Sequence, residues 1–207
     1  MMHFNDVTGL LGMALALAVL ASRIPGLSRM SRTRRGWLPA AIFMAVLLPL
    51  GGLPLAGYVR GATGDLSITA LVLLGASLLH TRFGWMVLPG RDKLLLLVMV
   101  AAAGFYPLAL GWGEYDPYRL GYGSYWLLAY LLGLALLAAW KGMPAITFTL
   151  AAAVLAWSVG WSESTNLWDY LLDPLVSIYA AFAAAAQGMR YLRTGRASKA
   201  GATNPRA

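Results

Sequence analysis

The chain has no cysteine and only two histidines, His3 and His80. Without cysteine there are no disulfides, no thiolate metal sites and no thiol nucleophile. The histidines lie far apart, and no HxxxH or HExxH spacing occurs, so the sequence offers no histidine-based metal or haem site and no cofactor is expected. Charge is also scarce. Charged residues make up 12% of the chain, against about 25% in an ordinary soluble domain. No Asp, Glu, Lys or Arg falls in the middle of a long apolar run, which argues against a carrier that moves protons or ions through the membrane on an ionisable side chain. A Ser-His-Asp set, a Gly-rich phosphate loop and a nucleotide motif are all missing.

Apolar residues are abundant instead. The set AVILMFWYC reaches 59% of 207 residues, above the roughly 45–50% of soluble domains. One compact core cannot hide that excess, so a bilayer must solvate much of the surface. Apolar runs recur seven times, near 6–22, 37–57, 66–80, 94–111, 124–140, 143–160 and 173–190, the third being the shortest. The expected fold is therefore an all-α integral membrane protein of about seven transmembrane helices. A single polytopic domain would cover 1–193, followed by a basic, disordered cytoplasmic tail over 194–207.

The positions of the basic residues orient the helices. With the N-terminus outside and the C-terminus in the cytoplasm, the inner segments hold fourteen of the sixteen Lys and Arg residues, leaving only Arg60 and Arg119 outside. Enrichment of short cytoplasmic loops in Lys and Arg is the strongest orientation signal available. It also accounts for the formal charge of +8 without a nucleic-acid partner. The first apolar run has its basic block after it, the reverse of a cleavable secretory signal, so it reads as a retained helix. The inner stretch with Arg29, Arg32, Arg34 and Arg35 reads as a topogenic patch that binds anionic lipids.

Seven of the eight acids fall outside, Asp92 being the exception. Several have a local explanation. Asp65, Asp116 and Asp173 precede helix starts, the last two immediately before proline, where a carboxylate caps free N–H groups and suits the helix dipole. Asp6 fits the same role for the first span. Asn166 with Asp169 resembles a capping box for a short helix over 167–172 lying along the membrane surface, with Trp168, Leu171 and Leu172 toward lipid. Twelve of the eighteen Trp and Tyr residues sit near the outer side, and Trp112, Trp126, Trp161 and Trp168 are the candidate interfacial anchors.

Glu114, Glu163 and Asp169 remain as candidate acid–base groups, because paired carboxylates serve that chemistry. Arg60 and Arg119 either pair with nearby acids or grip an anionic or lipid phosphate group. Three functions follow. The first is a noncatalytic accessory or scaffold subunit of the bacterial inner membrane, presenting an acidic, aromatic-rich periplasmic face to a membrane protein partner or to lipid. The second is an outer-leaflet enzyme acting on a lipid-linked or phosphate-bearing substrate, with Glu114 and Glu163 as acid–base groups and Arg60 and Arg119 on the phosphate. The third is a small permease or lipid transporter without mid-membrane charge.

Overall fold

The structure is a computed structural model that describes residues 4–24, 32–84 and 88–202, with side chains described for these except 32–35 and 192–202. The described residues are almost wholly helical. In chain order they form α1 (Phe4–Ala21), α2 (Arg32–Val46), β1 (Pro49–Leu50), β2 (Leu53–Pro54), α3 (Leu55–Thr63), α4 (Ile68–Phe83), α5 (Arg91–Ala109), a 3-10 turn (Pro117–Gly121), α6 (Tyr125–Trp140), α7 (Pro144–Ser158), α8 (Leu167–Leu171) and α9 (Pro174–Ala202).

Local signals set most of these boundaries. Ser67 caps α4, its hydroxyl accepting from the Ala70 N–H at 3.1 Å, and Gly84 in the left-handed region (φ 73°) ends the helix. Pro144 opens α7, where its missing N–H costs nothing. Gly142, at φ 64°, supplies the reversal between α6 and α7, so these two helices form a tight antiparallel hairpin.

The second apolar run breaks where one span was expected. Residues 37–57 are not one continuous helix: α2 stops at Val46, a two-residue antiparallel ladder pairs Pro49 with Pro54 and Leu50 with Leu53, and α3 starts at Leu55. The stretch PLGGLP is the cause. Gly51 and Gly52 both adopt positive φ (68° and 115°), which side chains rarely tolerate, and each flanking proline lacks a helical N–H donor. Tyr58 then ties the turn to α3 by donating from its hydroxyl to the Leu50 and Gly51 carbonyls. At the other end of the chain, α9 runs as helix to Ala202, past 190 and into the segment read as a tail.

Two cores hold the helices. Met13, Ala14, Ala16, Val46 and Ala56 close a small one between α1, α2 and α3. A larger one unites α4 to α9, with Leu94, Leu95, Leu131, Ala145, Ile146, Tyr170 and Ala180 at its centre, and α4 lies against both α1 and α7. Small residues permit the close approaches of the helix backbones: Ala14, Ala145, Ala153 and Ala180 are fully buried.

Among the described residues, two helices, Phe4–Ala21 and Arg91–Ala109, are long and apolar enough to cross a membrane; α4, α6 and α7 are apolar but shorter. At 1.5 Å per residue the 16 residues of α6 span about 24 Å. Large apolar side chains line outward faces, among them Leu132, Leu136 and Leu137 of α6 and Leu175, Ile178 and Phe182 of α9.

Candidate functional site

The end of the bundle that carries Asp6, Asp65 and Glu163 has Arg60 at its centre. It lies in the last turn of α3, and its guanidinium meets three carboxylates from three separate segments. Nε lies 2.5 Å from Asp65 Oδ1 and Nη2 lies 3.2 Å from Asp65 Oδ2, a bidentate pair. Nη2 also donates to Glu163 Oε1 at 2.6 Å, and Nη1 stands 3.8 Å from Asp6 Oδ1. Two backbone carbonyls complete the set: Nη1 donates to Asp6 O and Nη2 to Asn5 O. One side chain thus ties the start of α1, the α3–α4 connection and the α7–α8 loop together.

Asp65 is the other half of this tie. Its Oδ2 also accepts from the Ser162 hydroxyl at 2.9 Å and from the Glu163 N–H at 3.2 Å. Burial pushes the carboxyl pKa up, but the Arg60 guanidinium, the Glu163 N–H and the Ser162 hydroxyl outweigh that and hold it below its ordinary 3.8. The hydrogen bond that Arg60 donates to the Asp65 carboxylate is the main cause of the raised Arg60 pKa. Asp65 does not cap α4, as its position before the apolar run had suggested; Ser67 caps the helix and leaves Asp65 to face Arg60.

The neighbouring backbone is closely fitted. At Gly9, a Cβ would stand 2.3 Å from Asp65 Oδ1 and 2.4 Å from Arg60 Nε. Thr8, one residue earlier, donates its hydroxyl to the Trp161 carbonyl, and Phe4 meets Trp161 edge to face with centroids 6.0 Å apart.

A second polar group lies around α8. Asn166 caps that helix, accepting from the Trp168 N–H at 2.9 Å, and its amide donates to the Tyr118 carbonyl at 2.9 Å. Asp169 accepts from the Tyr118 hydroxyl at 3.0 Å and from the Ser164 hydroxyl at 2.5 Å. Burial first, and then the Asp169 carboxylate, raise the Tyr118 pKa well above its usual range, so its hydroxyl keeps its proton and donates. The Tyr170 hydroxyl accepts from the Ser162 N–H and donates to the Ser164 carbonyl, which fixes the loop that presents Glu163.

The short helix faces protein rather than lipid. Leu167, Tyr170, Leu171 and Leu172 are buried. Trp168 stacks on Phe105 at 4.6 Å and donates its indole N–H to the Pro117 carbonyl. A three-centre fit of Asn166, Trp168 and the 3-10 turn overrides the amphipathic reading. Gly121 is the contact that makes this possible: a Cβ there would come within 1.7 Å of Asn166 Oδ1 and 2.8 Å of Trp168 Cδ1. Gly121→Ala is expected to destabilise the protein by about 2 kcal/mol, the cost of overpacking a filled site. Thermal unfolding in detergent micelles checks this, and Gly123→Ala is no control, because Gly123 has positive φ (83°).

The remaining candidates stand apart. Glu114 and Arg119 are both exposed, and among the described residues neither forms an ion pair. Asp116 caps the 3-10 turn by accepting from the Tyr118 N–H at 2.9 Å, as expected of Asp before Pro. Asp173 is buried and caps α9 through the Val176 N–H at 2.7 Å. Its second oxygen accepts from the Ser67 N–H at 3.0 Å, a role for which the sequence carried no signal. Trp112, Tyr125 and Trp126 are all exposed. Of the arginines expected to bind anionic lipid, Arg29 lies outside the described residues, and Arg32, Arg34 and Arg35 lie in the first turn of α2.

Chemically, the geometry brings Glu163 and Arg60 together but leaves Glu114, Arg119 and Asp169 elsewhere. Arg60 has little of its donor fork left for an added anion. Among the described residues, no group of three His, Cys, Asp or Glu side chains could hold a metal ion. Comparison with known protein families, with curated proteins and with solved structures gives no match.

Proposed function

We propose that this chain is a multi-pass protein of the bacterial inner membrane and acts as a noncatalytic accessory or scaffold subunit. In this reading seven spans place the N-terminus outside and the C-terminus in the cytoplasm, and the outer face meets a membrane protein partner. One observation carries it: the charged groups that converge at this end are spent on one another. Arg60 is occupied by Asp65, Glu163 and Asp6, and Asp169 by Tyr118 and Ser164. Large aromatics at the same end are open instead, with Tyr125 87%, Trp126 83% and Trp112 81% exposed. Exposed Trp and Tyr side chains suit partner contact or headgroup contact far better than acid–base chemistry.

The orientation has support of its own. The Arg60 contacts join segments expected outside, whereas Arg82 reaches the Trp37 ring at 5.3 Å from within segments expected inside. The short helices α4, α6 and α7 fit a bilayer that thins locally around them, a modest cost per ångström of mismatch.

Because the chain has no cysteine, single cysteines report topology directly. A membrane-impermeant maleimide applied to intact spheroplasts is expected to label Glu114→Cys and to spare Lys141→Cys until the membrane is opened. Labelling of Lys141→Cys from outside would overturn the orientation. For the partner, a photo-crosslinking residue at Trp126 should give one discrete protein adduct that survives Glu163→Gln and Glu114→Gln. Adducts to lipid alone would remove the scaffold reading.

A further inference from the structure

An apolar cleft of about 260 Å³ runs between α1, α4 and α9, with Leu17, Leu20, Leu74 and Leu175 among its walls. Leu20 and Leu175 are also exposed, so the cleft opens sideways, toward the acyl chains of a surrounding bilayer. Val59 and Thr63, near Arg60, line it, and so do Arg23 and Arg91. These two arginines come from distant segments, just after α1 and at the first residue of α5.

Their partners are neutral. Arg23 donates to the Ser77 hydroxyl and Arg91 to the Tyr179 hydroxyl, with the Arg91 guanidinium also 5.8 Å from the centre of the Tyr179 ring. Among the described residues neither forms an ion pair with a carboxylate. Each guanidinium has five N–H donors, so a single hydroxyl contact leaves most of them available. Two positive charges thus line an apolar cleft, and among the described residues no carboxylate is paired to either. This contrasts with Arg60, which three carboxylates neutralise.

We propose that this cleft binds one anionic glycerophospholipid, its phosphate between Arg23 and Arg91 and one acyl chain along the leucine wall. The guanidinium fork matches phosphate oxygens in bidentate fashion, and the open side admits the second chain. A zwitterionic headgroup is disfavoured because, among the described residues, no carboxylate lines the cleft to receive its ammonium group. The site rests on the membrane reading given above, but not on which face is cytoplasmic. Binding in micelles is independent of orientation, so failure here leaves the maleimide result standing, and the reverse also holds.

The test uses the full chain purified in neutral detergent, titrated with dioleoyl phosphatidylglycerol or dioleoyl phosphatidylcholine and read by native mass spectrometry. The expected result is one phosphatidylglycerol bound at least tenfold more tightly than phosphatidylcholine. Arg23→Gln combined with Arg91→Gln should reduce that affinity at least tenfold. Leu74→Trp, which fills the cleft and leaves both arginines in place, should do the same. Equal affinity for the two lipids, or unchanged phosphatidylglycerol binding in either variant, overturns the site. So does inorganic phosphate binding as tightly as the lipid, since the cleft would then contribute nothing. Should the double glutamine variant fail to fold, Leu74→Trp decides the matter alone.

Discussion

Arg60→Leu is expected to lower unfolding stability by about 3 kcal/mol, the low end of the cost of breaking a buried ion pair, because this one is only partly buried. The Arg60 side chain is 15% exposed and that of Asp65 is 13% exposed. Removing the guanidinium leaves Asp65 half-buried without its cation and releases the start of α1 from the α7–α8 loop. Glu163→Gln serves as the contrast. The Glu163 side chain is 61% exposed, and an exposed pair contributes less than about 1 kcal/mol. Thermal unfolding in detergent micelles, followed by circular dichroism, separates the two. Losses of equal size would show that Asp65 is not the centre of the tie.

The same pair predicts an acid dependence. The folded-state pKa of Asp65 is lowered below 3.8, so the unfolded chain binds the proton more readily and the stabilisation is fully present above that value. It is lost as pH falls from about 3.8 through the lowered folded-state value. Asp65→Asn should flatten the stability curve in that window. An unchanged acid slope in Asp65→Asn would contradict the assignment.

Asp173→Ala is expected to cost a comparable amount, again about 3 kcal/mol. Two separate losses combine. Helix α9 loses its N-cap at Val176, about 1 kcal/mol, and the wholly buried Ser67 N–H loses its acceptor, about 1–3 kcal/mol for a group left unsatisfied. Asp116→Ala removes a cap at an exposed position and should cost only about 1 kcal/mol. The difference isolates the cross-bundle bond to Ser67. If both alanine variants lose the same amount, that bond contributes nothing and Asp173 is only a local cap.

Asp173 also shows how far a sequence can be read. Its place before Pro174 suffices to predict the cap, because capping needs only the three residues that follow. Asp116 before Pro117 and Asn166 before α8 obey the same local chemistry, as does the proline that opens α7. None of these depends on how the helices assemble. The long apolar runs likewise made the helical character plain, since apolar stretches of that length satisfy their backbone polar groups only as helix once in lipid. Length misled over 37–57, where the glycine pair between two prolines outweighed the surrounding apolar residues.

The partners of Arg60, Asp65, Glu163 and Asp169 belong to a different class of fact. Arg60 and Glu163 are 103 positions apart, Tyr118 and Asp169 are 51 apart, and no spacing rule links them. Those meetings follow from which helix ends the bundle brings to one side, and from glycines at 9 and 121 that let side chains close over bare backbone. The sequence by itself determined the all-helical character and the caps at Asp116, Asn166 and Asp173, because each is a property of neighbouring residues or of a whole segment in its solvent. Only the tertiary structure decided that Glu163 pairs with an arginine already held by Asp65, and that Arg23 and Arg91 share an apolar cleft with neutral partners. Those outcomes depend on distances between residues remote in the chain, which helix packing alone sets.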